Sequence, residues 1–265
     1  METHVTGHRG GFPVGMTKVL ALGDQRGVDI AFYMVRLEGN TSLDVPPVFH
    51  QCGAVLLTGA GTVTLVPTRN QELPAVQVSR RDIFTEPPHS FLLPRGAGMK
   101  LVAGEDGMEL ALFSVPGQGP QKVLEVKPSE VRNEERGEGL HDGTFHRVVR
   151  TVADGSNARG WGMVFGEVVN KAGRWSSYPP HHHPQPEVYY YRFDKPTGYG
   201  HAEIGEQVVK VRGHDFTLMR AGEDHAQVSA PGYGMYYLWI IRNLKDQAYD
   251  TPEFTEEHKW LLGPK

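Results

Sequence analysis

The stretch Ser176-Ser-Tyr-Pro-Pro-His181-His182-His183-Pro-Gln-Pro-Glu187-Val-Tyr-Tyr-Tyr191-Arg192-Phe193 carries both the strand rhythm and the chemistry of this chain. His181 and His183 stand two apart, so on an extended backbone their imidazoles leave one face and His182 leaves the other. Pro184 and Pro186 interrupt a regular ladder and predict a turn that returns Glu187 beside the histidines at the head of the next strand. Glu187 then shares a face with Tyr189, Tyr191 and Phe193. A third imidazole, His225, follows the Gly222-Glu-Asp turn and enters a strand with Gln227 and Ser229 on its face. Three neutral imidazole nitrogens and one carboxylate, with positions open to water or substrate, describe a catalytic divalent-metal site. The expected ligands are His181, His183, Glu187 and His225. A His triplet between prolines is by itself more often an exposed turn. The His-x-His-x3-Glu spacing, with Gly-x2-His downstream, tips the balance toward metal.

Outward from this stretch, the apolar segments are short, alternating or β-branched, and bounded by Gly, Pro, Asp or Asn: Ile30–Leu37, Ala54–Thr58, Thr62–Val66, Phe91–Leu93, Leu110–Val115, Val208–Val211, Phe216–Met219 and Met235–Ile241. This is an all-β pattern, and Gly59-Ala-Gly61 reads as a hairpin turn within it. Phe91-Leu-Leu-Pro94-Arg-Gly96-Ala-Gly-Met99 before Leu110–Val115 echoes Phe216-Thr-Leu-Met-Arg220-Ala-Gly222-Glu-Asp-His225 before Tyr236–Ile241. Two units too small for helix-covered parallel sheets predict tandem jelly-roll barrels. The expected division is 1–126, a charged connector 127–142 whose Glu134-Glu135-Arg136-Gly-Glu138 run reads as solvated surface, and 143–265. A short terminal helix is expected from Thr251 as N-cap and Pro252 as first residue, stopped by Gly263-Pro264.

Composition excludes other classes. The 265 residues carry a net charge of −4 and 39% hydrophobic residues, enough for real cores and without the basic stripe that phosphate binding requires. No nucleic-acid partner is expected. The apolar run Met235–Ile241 is far below the roughly 18 residues of a membrane span. The Met1-Glu-Thr-His-Val start has no leader character, and the lone Cys52 closes no intrachain disulfide, so the expected address is a reducing cytoplasm. No Gly-x-Ser-x-Gly elbow and no phosphate loop occurs. Exposed edge strands predict a homo-oligomer.

The metal pattern resembles the two motifs of the cupin superfamily. The wording Trp175-Ser-Ser-Tyr-Pro-Pro-His-x-His with Glu-x-Tyr-Tyr-x-Arg192, joined by Ala230-Pro-Gly-Tyr233, Tyr236-Tyr-Leu238 and His258-Lys-Trp260-Leu, resembles the IolB family of 5-deoxy-glucuronate isomerases of inositol catabolism. The resemblance is strong from about Phe145 to Leu261. It implies a bicupin whose second barrel holds one divalent ion, Zn2+ or Mn2+ first, with Fe2+ and Ni2+ also suited to the donors. The first half has no His-x-His, and Met99 stands where the last histidine would be, which implies a metal-free first barrel. Only Pro184-Gln-Pro186 separates the second histidine from Glu187, where the family has a longer acidic insertion.

That resemblance implies an aldose–ketose isomerase acting on an open-chain sugar acid. Moving a carbonyl from C1 to C2 needs an α-proton removed and the enediolate oxygen stabilised. Glu167, His182, His201, Glu203 and the Tyr189–Tyr191 cluster are the candidate bases, and two of the three tyrosines are as readily core. Arg192 is the choice for the substrate carboxylate, although regular alternation puts it opposite to Glu187 unless a bulge intervenes. Lys171 and Arg174 are the alternatives, and Gln227 a further substrate contact. The rival functions are an Fe-dependent dioxygenase, a non-catalytic sugar-acid-binding cupin and a metal-free structural double barrel.

Overall fold

The short alternating segments become antiparallel strands, and the computed structural model describes residues 2–24, 26–67 and 71–263 of the chain. In the N-terminal unit the sheet order is Gly15–Leu20, Ala31–Leu37, Gly98–Val115, Gln51–Val66, Ser90–Leu93 and Leu124–Val126, with Ser42–Val45 and Val76–Arg80 added to the two long central strands. It curls around a core that includes Val35, Leu56, Leu65, Phe91, Met99 and Leu110. Gly59-Ala60-Gly61 is not a hairpin turn. The strand Gln51–Val66 runs through it, with register shifts at Leu56/Thr58 and Gly59/Gly61. A Cβ on Gly59 would meet Gly107 O at 2.2 Å, and one on Gly61 would meet Val102 O at 2.2 Å. These glycines serve a bulge and close backbone approach, which a turn reading cannot separate from a hairpin.

The C-terminal unit has two facing sheets. One runs His4–Val5, Phe216–Met219, Glu187–Phe193, Met235–Arg242, Met163–Asn170, Arg147–Ala153 and Arg132–Arg136. The other runs Gln207–Arg212, Tyr199–Ile204, His225–Ser229, Trp175–His182 and Glu253–Phe254. Tyr189, Tyr191, Val168 and Tyr237 of the first sheet pack between the two against Ala202 and Ile204 of the second. The opposite face of the seven-stranded sheet is also buried. Val188, Tyr190, Phe216 and Tyr236 pack there on Phe32 and Phe113 of the N-terminal unit. Aromatic edges join the units, with centroids 4.8 Å apart for Phe32–Phe216 and 4.8 Å for Phe113–Phe165. Double-sided burial explains why these strands read as near-continuous apolar runs.

Three boundaries differ from the sequence expectation. The stretch 127–142 is no plain connector: it holds a 3-10 turn at Pro128–Glu130, the edge strand Arg132–Arg136 paired with Arg147–Ala153, and a second turn at His141–Gly143. Charge is tolerated there because an edge strand keeps one side toward water. His4–Val5 belongs to the C-terminal sheet, opposite Thr217 and Phe216, although it precedes the whole N-terminal unit. Arg9 fastens this crossing segment by donating from Nε and Nη2 to the Asp215 carboxylate at 2.9 and 2.8 Å. The terminal helix is a 3-10 helix over Glu256–Leu262 with Thr255, not Thr251, at its N-cap, because Glu253–Phe254 first pairs with His181 and His182. Pro264 of the expected stop lies outside the described residues. No helix among the described residues is long and apolar enough to cross a membrane.

Candidate metal centre and its pocket

Pro179 and Pro180 have no N–H to give a ladder, so the strand Trp175–His182 leaves its partner and rejoins it. Pairing jumps from Ser176 opposite Gln227 to His181 opposite His225. Ser177 turns the chain outward at a φ of 49°, a left-handed value uncommon for a residue with a side chain. The bulge aims Ser177 into the unit and returns His181 to the face of His225. Past His183, the Pro184–Pro186 segment turns, and Glu187 opens the next strand on the face of Tyr189 and Tyr191.

His183, Glu187 and His225 are buried together, with one ligating atom from each lying within 4.8 Å of the others. His183 Nε2 is 3.3 Å and His225 Nε2 is 3.2 Å from the same oxygen, Glu187 Oε2. His181 flanks them half-buried, its ring centroid 4.4 Å from that of His225 and 6.4 Å from that of His183. Each imidazole donates its Nδ1 proton to a backbone carbonyl: His181 to Ser177 at 3.1 Å, His183 to Gln185 at 2.7 Å, His225 to Glu223 at 3.0 Å. A carbonyl can only accept, so the neutral rings carry the proton on Nδ1 and leave Nε2 as a bare lone pair. His225 Nε2 is fully enclosed and has no hydrogen-bond partner.

Lone pairs of two imidazoles and a carboxylate therefore face one another in a buried space. Only a proton or a cation reconciles them, and the donor set, nitrogen with one carboxylate oxygen, fits a divalent metal. Burial and then the His225 ring hold His181 down to about 3, so this ring is neutral at physiological pH. A neutral imidazole is the form that ligates a metal.

A cavity of about 350 Å³ opens on this cluster, a volume in the range of small-molecule sites. Ser177, Tyr189 and Tyr237 meet on its wall, Ser177 Oγ lying 3.0 Å from each phenol oxygen. Burial pushes Tyr189 well above its ordinary range and Tyr237 up to about 12, so both phenols stay protonated. Tyr249 stacks edge-on to His183 at 5.0 Å, and Phe254 edge-on to His181 at 5.9 Å, so the C-terminal segment roofs the cluster. Arg132, Arg136 and Arg147 also line the cavity.

Several residues singled out in the sequence lie elsewhere. Glu167 projects from the other face of its strand into the junction between units, where Arg80 donates to both its oxygens at 2.7 Å, Arg150 at 3.3 Å and the Tyr236 hydroxyl at 2.6 Å. It cannot reach the pocket. Arg192 obeys the regular alternation, with no bulge to redirect it, and donates to Glu109 of the N-terminal unit at 3.0 Å. Lys171 is exposed and contacts His146, while Arg174 donates to the Asp142 carbonyl. Tyr191 and Gln227 lie behind the wall, the Tyr191 hydroxyl donating to Gln227 Oε1 at 2.6 Å and accepting from Thr217. His182 turns away to Asp224 at 2.7 Å, and His201 and Glu203 alternate with buried Ala202 toward the outside.

Pocket residues absent from the sequence reading include Ser177, Tyr237, Tyr249, Phe254 and the three arginines Arg132, Arg136 and Arg147. A signal existed for two of them: Arg132 and Arg136 are four apart in an extended charged run, which places them on one face. Arg147 and Tyr249 carry no local pattern that separates them from surface or core residues.

Residues 22–261 match the KduI/IolB family, about nine-tenths of the chain. The chain belongs to this family. Curated relatives include the 5-deoxy-glucuronate isomerases of Geobacillus thermodenitrificans, 27% identical over 89% of this chain and 87% of that one, and of Shouchella clausii, 26% identical over 88% of each. Among solved structures, an IolB-like protein from Salmonella typhimurium LT2 superposes with a TM-score of 0.83 at 22% identity, covering 99% of this chain and 100% of that one. The Bacillus subtilis oxalate decarboxylase, described for its Mn(II) centres, gives a TM-score of 0.62 at 14% identity over 85% of this chain and 71% of that one. The KduI/IolB chain thus has the bicupin fold, two tandem jelly-roll units.

Proposed function

We propose that this chain is a metal-dependent aldose–ketose isomerase for an open-chain sugar acid, converting 5-deoxy-glucuronate to 5-dehydro-2-deoxy-gluconate in inositol catabolism. The observation that carries the reading is the convergence of bare Nε2 atoms from His183 and His225 on the Glu187 carboxylate at the foot of an open pocket, with His181 beside them. The isomerase names borne by relatives across most of the chain support it. A divalent cation held by His181, His183, Glu187 and His225 would polarise the substrate carbonyl and its neighbouring hydroxyl as a Lewis acid.

Moving a carbonyl by one carbon shifts one hydrogen from C2 to C1 and one proton from the C2 hydroxyl to the C1 oxygen. The Ser177–Tyr189–Tyr237 hydroxyl chain serves the second transfer, since each of its oxygens both donates and accepts. Its phenols stay protonated, so they give hydrogen bonds to the developing oxyanion instead of repelling it. Tyr249 and Phe254 exclude water from above, which strengthens those bonds in the enclosed site. Glu167, His182, His201 and Glu203 take no part, because their side chains leave the pocket.

The test is incubation of metal-loaded protein with 5-deoxy-glucuronate, followed by NMR, with a chelator-treated control. Ketose product that disappears in the control is the expected result. Ligand-induced stabilisation without product would make the chain a binding module, and oxygen consumption during turnover would make it a dioxygenase.

A further inference from the structure

Three arginines line the pocket, and two of them are paired with carboxylates. Arg132 is bound to Asp154, and Arg136 donates to Glu134 at 2.9 Å. Arg147 differs. It is only 9% exposed, and among the described residues it has no carboxylate partner; Nη1 donates to the Phe145 carbonyl at 2.9 Å and Nη2 to the Tyr178 carbonyl at 3.0 Å. The other deeply buried arginines, Arg80 and Arg150, both pair with Glu167. A guanidinium taken out of water without a counter-charge is costly, and like charges directly opposite on a ladder add to that cost. Arg147 has such a neighbour, because Arg136 is its register partner.

The position of this charge relative to the metal ligands is fixed by one turn. The Ser177 carbonyl receives the His181 Nδ1 proton and the adjacent Tyr178 carbonyl receives Arg147 Nη2, while Ser177 Oγ joins Tyr189 and Tyr237. Ligand imidazole, hydroxyl chain and guanidinium are thereby all tied to two consecutive residues. We propose that Arg147, reinforced by Arg136, is the docking point for the substrate's carboxylate, so that the acid end lies on the arginine wall and the carbonyl end on the His183, Glu187 and His225 cluster. This inference rests on the isomerase reading and deepens it: it makes the pocket selective for sugar acids over neutral sugars of the same length. Burial holds the Arg147 guanidinium down to about 10, with Arg136 pushing the same way, so it is still charged at neutral pH. Its planar fork suits a carboxylate, and a neutral sugar would leave it unpaired in a dry site.

Two comparisons test this, with Arg147→Met, Arg147→Lys and Arg136→Gln against an Arg174→Gln control outside the pocket. In the first, kcat/KM is measured for 5-deoxy-glucuronate and for 5-deoxy-glucose, its counterpart without the carboxylate. The wild type and Arg174→Gln should prefer the acid; Arg147→Met should lose about 100-fold or more on the acid and little on the neutral sugar, and Arg147→Lys about 10-fold. Metal content should match the wild type throughout. In the second, gluconate, which has no carbonyl to isomerise, is titrated calorimetrically into chelator-treated protein. It should bind wild type and Arg174→Gln and bind Arg147→Met at least about 10-fold more weakly. Unchanged acid preference in the Arg147 variants overturns the inference and leaves the isomerase reading intact. If the wild type turns over neither sugar, that reading fails, and gluconate alone decides the docking point: loss of binding in the Arg147 variants upholds it and retention overturns it. Should Arg147→Met not fold, Arg147→Lys and Arg136→Gln decide the docking point in the same way from smaller effects.

Discussion

His225 Nε2 faces Glu187 Oε2 at 3.2 Å with no proton of its own to offer, because its Nδ1 proton is given to the Glu223 carbonyl. An acceptor facing an acceptor in a buried site is a preference for a cation built into the fold. Glu187→Gln should reverse it, since an amide nitrogen can donate to His225 Nε2 and to His183 Nε2. The variant is expected to stay folded without metal while losing its response to metal. For the wild type, metal at about 100 times its dissociation constant should stabilise by about 2.7 kcal/mol, a rise of about 5 °C or more in Tm. In Glu187→Gln the rise should vanish, together with turnover, whereas His182→Ala should keep both. Differential scanning fluorimetry with and without chelator, paired with elemental analysis, reads this directly.

The hydroxyl chain makes a separable prediction. Tyr237→Phe removes one member of the Ser177–Tyr189–Tyr237 group and leaves the ring, the packing and the metal ligands in place. General acid–base groups contribute about 100-fold or more, and a relay with two phenols should lose part of that, so kcat is expected to fall about 10- to 100-fold with KM within about threefold. Metal content should be unchanged. A kcat equal to the wild type's would show that the chain of hydroxyls is packing.

The all-β tandem fold was legible from short alternating segments and from the echo of Phe91–Met99 in Phe216–His225. The grouping of His183, Glu187 and His225, with His181 beside them, was legible because metal chemistry restricts residue type and because period two restricts face. Arg192 shows the same rule read against the choice of residue: alternation set it on the wrong face, and the structure keeps it there with Glu109. Glu167 was not legible as a structural residue, since a carboxylate in an apolar strand looks alike whether it is catalytic or sealed between two arginines from distant segments. The charged run Arg132–Arg136 shows the limit of composition. Its average is that of a solvated surface, yet Arg132 and Arg136 line the pocket, because the segment is a strand paired with the next one, Arg147–Ala153, and an average over composition does not separate the two faces of a strand.

Glu167 accordingly belongs to stability. It is completely buried, as is its partner Arg80, and Arg150 is nearly so. Glu167→Gln removes the only carboxylate among the described residues that these two guanidinium groups share and leaves uncompensated charge between the units. The expected loss is about 3–5 kcal/mol, measured as a lower urea midpoint. Metal stoichiometry and kcat per folded molecule should hold at the wild-type level below the transition. A collapse of kcat in protein that is fully folded would restore a catalytic role to Glu167.

Acid should weaken the fold through His214, which accepts the Tyr190 hydroxyl proton on Nδ1 at 2.8 Å beside the junction of the two units. Burial and then the Arg192 charge hold this imidazole down to about 4, His8 pushing the same way and Glu109 and Asp215 opposing. Unfolded, a histidine titrates near 6.5. The folded state therefore refuses a proton that the unfolded state takes, and stability that is complete above pH about 6.5 is lost as pH falls toward 4. His214 sits at a φ of 68°, a conformation asparagine tolerates, so His214→Asn removes the titration with little backbone cost. Between pH 7 and pH 5 the wild type should lose about 1 kcal/mol more than the variant, a figure discounted for the partial exposure of the ring. Denaturant midpoints at the two pH values give the difference, and parallel losses in the two proteins would remove His214 from the acid response.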